Sequence, residues 1–156
     1  MRNFNPWLLN TLIAAIVAGL LSGIPSTAWA LTSGGDPWEA TLAAGAVVLG
    51  PDASFLALLA AATVVHGGMS FFWAAVLCTF LPARRPVLWG LIAGALIAVL
   101  DILLIGRFLP AIRELAVLPQ FADHLIFGVL VGAVVGYRDK RRRILRSPQT
   151  LDVGEM

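Results

Sequence analysis

The sequence predicts an all-α integral membrane protein with four transmembrane helices, both termini on the inner side, and a short interfacial or re-entrant helix after the first span. Composition gives the first indication: of 156 residues, 59% are hydrophobic and 13% charged, with mean hydropathy +0.87. Soluble domains carry about 25% charged and about 45–50% apolar residues. A soluble globular enzyme is therefore excluded, and so is a disordered chain, which needs low hydrophobicity and high charge. Four long apolar stretches are the second indication, and the lopsided placement of the cations is the third.

The first stretch covers 7–31 and carries a break at Gly23 and Pro25. Residues 37–49 then form an alanine-rich piece between Pro37 and Gly50-Pro51, signals that suit a helix start and stop. It is too short to span, and Trp38 suits the headgroup level. The second stretch, 53–81, holds no Asp, Glu, Lys or Arg, and His66 is its strongly polar side chain. The third, 87–109, contains Asp101 and Arg107, and the fourth, 121–137, opens with Asp123 and His124. A hydrocarbon core about 30 Å thick needs roughly 20 helical residues, within a range of about 17–25. All four stretches meet that requirement. Residues 1–137 are thus expected to form a single bundle, with 138–156 as a basic cytoplasmic tail.

Orientation follows from the cations. The amino terminus, the 82–86 turn and the tail hold Arg2, Arg84, Arg85, Arg138, Lys140, Arg141, Arg142, Arg143 and Arg146. The opposite side holds Arg107 and Arg113, which completes the 11 Lys and Arg residues. Both termini are therefore expected in the cytoplasm, and the expected location is a bacterial plasma (inner) membrane. One alternative concerns the first stretch, because Arg2, the apolar run and Ala28-Trp29-Ala30 also have the layout of a secretory signal peptide. Cleavage after Ala30 would leave three spans with the new amino terminus outside.

Small residues recur at four-residue spacing, which lets helix backbones approach in lipid. The stripes are Thr11, Ala15, Gly19 and Gly23; His66, Ser70, Ala74 and Cys78; Gly90, Gly94, Ala98 and then Asp101; and His124, Gly128, Gly132 and Gly136. Asp101 differs in kind, since a carboxylate at the bilayer centre costs at least ~2.5–3.5 kcal/mol and normally faces a partner inside the bundle. Counting ~1.5 Å per residue puts Asp101 and His66 at similar depth. A polar intramembrane site of His66, Asp101 and Ser70 is expected, acting as a proton or cation relay or as an interhelical packing bond.

A second polar group gathers toward the outer face: Pro25, Ser26, Thr27, Arg107, Gln120, Asp123 and His124. Pro25 removes a backbone donor and breaks the helix, and Ser26 and Thr27 offer hydroxyls beside the break. Broken helices at membrane depth occur at transporter substrate sites and also as plain kinks. These residues are expected to line a cavity opening outward.

No catalytic residues, cofactor or metal site are expected. The chain has one cysteine, hence no CxxC pair, and no nucleotide loop, Ser–His–acid order or HExxH pattern. The two histidines fall at different depths, so a shared haem does not fit. The expected partners are the lipid bilayer and anionic headgroups at Arg138, Lys140, Arg141, Arg142 and Arg143. Nucleic acid is not expected, because the basic run has no interleaved aromatics and abuts a span. Two functions remain open: a small transporter or channel-like component built on the His/Asp site, or a non-catalytic interaction or assembly protein packing through its glycine stripes. Four spans are few for a solute pathway, so a homo-oligomer or a partner membrane protein is expected with either.

Overall fold

The structure, a computed structural model, describes residues 5–146. Every described element is helical. The first helix, α1 (Pro6–Leu21), begins where the Asn5 side chain accepts the Trp7 N–H at 3.0 Å, and Pro6 occupies the turn in which a missing N–H goes unnoticed. It stops at Ser22-Gly23, and α2 (Ile24–Ser33) restarts with Pro25 in its own first turn. Gly34, at φ 77°, ends α2 in the left-handed region that a side chain would resist. The eleven-residue α3 (Glu39–Leu49) is about 16 Å long, too short to cross a bilayer.

Ser54 caps the 26-residue α4 (Phe55–Phe80), its hydroxyl accepting the Ala57 N–H at 3.4 Å. A tight turn leads into α5 (Pro86–Val99), with Arg85 at φ 58°, a left-handed conformation that costs a side-chain-bearing residue roughly 1–2 kcal/mol. At its far end α5 runs directly into a π-helical segment, Leu100–Ile105, closed by the Gly106 N–H donating to the Asp101 carbonyl at 2.7 Å. A single turn, α6 (Pro110–Arg113), precedes the 30-residue α7 (Val117–Arg146). Four helical stretches are long and apolar enough to cross a membrane: Pro6–Ser33, Phe55–Phe80, Pro86–Ile105 and Val117–Arg142.

Several boundaries differ from the sequence reading. The third stretch ends at Ile105 rather than 109, which leaves Arg107 in an exposed turn. The fourth starts at Val117, because Pro119 fits inside a first turn whose N–H groups have no helical partner anyway. It also continues through the basic residues to Arg146. Arginine and lysine are good helix formers, and positive charge is favoured at a helix C-terminus.

Packing is governed by small side chains. A methyl built on Gly90 or Gly94 would overlap the backbone of Gly128 or His124, and one on Gly128 or Gly132 would overlap Gly90 or Pro86. The α5 and α7 backbones thus touch, and those two helices make the most extensive contact in the bundle. Against this pair lies α1, which also packs on α4, and α3 rests on α4 at Gly45, where Cβ would meet the Leu58 carbonyl. The centre is built from Ala14, Ala18, Ala74, Ala98 and Val131, with Thr11 buried among them. Large side chains such as Leu20, Leu56, Val64, Phe80 and Phe108 point outward, as a lipid-facing surface requires.

Two of the three consecutive pairs of spans are neighbours: α4 packs on α1, and α5 packs on α7, whereas α4 and α5 make no extensive contact. The glycine faces of α5 and α7 allow their backbones to touch.

Candidate functional site

The break between α1 and α2 leaves polar backbone groups inside the bundle. A helix end exposes its last carbonyls, and a helix start exposes its first N–H groups. Both sets find partners on other helices. His66 Nε2, from the middle of α4, lies 2.8 Å from the Gly19 carbonyl, and a carbonyl can only accept, so this nitrogen carries the proton. On the other side of the break, Asp123 Oδ1 accepts the Ser26 backbone N–H at 3.1 Å, and its Oδ2 accepts the Ser26 hydroxyl at 2.5 Å. A carboxylate from α7 therefore caps the N-terminus of α2, where the helix dipole favours negative charge.

The next residue of α7 turns toward a different neighbour. His124 Nδ1 lies 2.8 Å from the Gln120 carbonyl, which fixes a proton on that nitrogen. Its Nε2 then faces Asp101 Oδ2 at 3.5 Å. At that spacing the imidazole and the carboxylate form an ion pair whenever the ring is protonated. Both side chains are partly accessible, 24% for His124 and 30% for Asp101. Asp101 opens the π-helical segment; π-bulges inside helices recur at functional sites. Gln120 is buried and donates to the Leu115 carbonyl at 3.1 Å and the Ile112 carbonyl at 3.4 Å, which tethers the α6–α7 connection.

The structure thus separates residues that the sequence reading joined. Asp101 pairs with His124, not with His66, because α5 packs on α7 while His66 points from α4 toward α1. Residue counting compares positions along the helix axes, but it does not say which way a helix faces. Ser70 is buried where α4 meets α1, its Oγ at 2.9 Å from a Cβ built on Gly19. Of the outer group, Ser26, Asp123, His124 and Gln120 belong to the cluster. Pro25 sets the break, whereas Thr27 and Arg107 are exposed. His66 and His124 are both within electrostatic range of the Asp123 carboxylate, so the two pairs are neighbours.

One signal for the missed partner was present. A helix broken by Ser22-Gly23 and Pro25 must leave an unpaired carbonyl, and an imidazole N–H on the next span is a natural donor to it. Among the described residues, no three His, Cys, Asp or Glu side chains converge as a metal ion would require. Two grooves of similar size, about 520 and 510 Å³, lie elsewhere: one between α1 and α7 at the basic end, the other between α3 and α6. Compared with protein families, curated proteins and solved structures, the chain matches none of them.

Proposed function

We propose that this chain is a small multi-pass protein of a bacterial plasma membrane that handles protons, as a transporter or channel-like component, with both termini cytoplasmic. The observation that carries this reading is the Asp101–His124 pair, an acid and an imidazole 3.5 Å apart on facing apolar helices. About 22 Å of helix separates Asp101 from the start of α5, and a group so deep normally marks an ion or proton path. Asp123 and Ser26 lie beside it at a broken helix, which supplies a second carboxylate and a hydroxyl through which a proton can move. The cations at one end of the bundle support the orientation.

Vesicles containing the purified chain and an internal pH dye test the reading under an imposed membrane potential. The native chain is expected to carry proton flux, and Asp101→Asn and His124→Gln are each expected to reduce it to that of empty vesicles. Gly67→Ala, on the open face of α4, should leave it unchanged. Absence of flux from the native chain, or equal flux in all variants, overturns the proposal.

A second reading, a membrane interaction or assembly protein, draws on that open face. Gly67 and Gly68 have nothing within 4 Å of a built Cβ, so the α4 backbone is bare to lipid or to another helix. Loss of a co-purifying membrane partner on Gly68→Leu, with proton flux absent throughout, would favour it.

A further inference from the structure

We propose that the groove between α1 and α7 at the basic end seats one anionic glycerophospholipid, with its phosphodiester among Arg138, Arg141 and Arg142 and an acyl chain along Ile13, Val17 and Val134. The groove encloses about 520 Å³, within the range of roughly 300–1,000 Å³ typical of small-molecule sites. Its lining changes character along α7. Leu130 and Val134 are followed on the same face by Tyr137 and Arg138, and then by Arg141 and Arg142. An apolar trough ending in an aromatic ring and three guanidinium groups matches a molecule with one hydrocarbon end and one anionic end. Tyrosine belongs at the headgroup level, which puts the arginines among the phosphates.

Among the described residues, three buried side-chain atoms lack a hydrogen-bond partner, Asn10 Oδ1, Thr11 Oγ1 and Arg142 Nη2, all toward this end. Arg142 Nη2 is buried without an acceptor among the described residues, and so is Asn10 Oδ1 without a donor. Asn10 precedes Ile13 by three residues and Val17 by seven, which places it on the groove-lining face of α1. A buried guanidinium N–H without an acceptor is costly, and phosphate oxygens are its natural complement. Headgroup hydroxyls would supply the donor that Asn10 lacks. A soluble phosphate would satisfy the arginines but leave the trough empty; a neutral lipid would do the reverse.

The membrane-embedded chain is the only premise shared with the proton-handling proposal, and the test requires no flux. The full chain in a neutral detergent is titrated with dioctanoyl phosphatidylglycerol, dioctanoyl phosphatidylcholine and glycerol phosphate, with bound species read by native mass spectrometry and thermal stability. One saturable phosphatidylglycerol per chain, with phosphatidylcholine and glycerol phosphate inert, is the expected result. Arg138→Gln combined with Arg141→Gln should weaken that binding by roughly 30-fold, two charges at the membrane-surface value. Ala133→Phe, at an exposed position on the groove wall, should block the saturable adduct while all three arginines remain. Val17→Phe gives an independent block from the α1 side. Saturation by glycerol phosphate, equal retention of both lipids, or undiminished binding in both blocked variants would each overturn the proposal.

Discussion

Asp123 accepts two hydrogen bonds from one residue, Ser26: the backbone N–H at 3.1 Å and the hydroxyl at 2.5 Å. The two helices that meet there, α2 and α7, are thereby fixed in both register and rotation. A single bond would leave the carboxylate free to swing; two bonds from one residue fix both of its oxygens.

Ser26→Ala removes one of these bonds and keeps the other, with an expected loss of about 0.6–1.7 kcal/mol, the range for polar contacts inside membrane bundles. Asp123→Ala leaves the Ser26 N–H and hydroxyl without an acceptor and should cost more, about 1–3 kcal/mol. In the double variant the losses should be less than additive. Unfolding curves in detergent for the two single variants and the double variant would measure the coupling, and strict additivity would count against a shared bond.

The glycines divide into two classes with opposite responses to an added methyl. Gly90→Ala and Gly128→Ala drive a Cβ into the facing backbone and should destabilise by roughly 1–3 kcal/mol or more, since neither helix can yield without moving the other. Gly67→Ala and Gly68→Ala meet nothing within 4 Å and should stabilise the helix by about 0.5–1 kcal/mol. Thermal melts of the four variants should therefore fall on both sides of the native value.

The histidines should carry their protons on different nitrogens. His66 donates through Nε2 to the Gly19 carbonyl, and His124 through Nδ1 to the Gln120 carbonyl. Nitrogen-15 magnetic resonance of the labelled chain is expected to show Nε2–H for neutral His66 and a protonated Nδ1 for His124. Substituting the Gln120 side chain should leave the His124 tautomer unchanged, because the acceptor is main chain.

Orientation can be read with a maleimide that does not cross membranes. With Cys78 replaced by serine, a cysteine at Ser33, next to the Gly34 helix stop, is expected to react from outside intact cells. One at Arg141 should react only after permeabilisation. The reverse pattern would invert the topology.

The long apolar runs reveal four spans in the sequence because a bilayer imposes one length on all of them. Their ends are less legible. Pro119 falls ahead of the span expected over 121–137 but sits in the first turn of its helix, and Arg138 to Arg142 read as a tail but continue that helix. The polar cluster was legible as a set of residues rather than as a set of pairs. Asp101, His66 and His124 could be assigned depths, yet rotation about each helix axis depends on which neighbour its glycines admit. The π-helical segment alters that rotation further by adding a residue to a turn at Asp101, and no residue type announces it.

That α5–α7 backbone contact also has a mechanical meaning. Held against α5 at His124, Gly128 and Gly132, α7 is a stiff beam clamped along more than two turns, with Arg138 overhanging the Gly132 contact by about 9 Å. Load taken up at the arginine end meets the clamp before it reaches the imidazole, which insulates the 3.5 Å spacing between His124 and Asp101 from events at the headgroups. Distances between spin labels flanking that spacing are expected to stay constant when the lipid charge is varied.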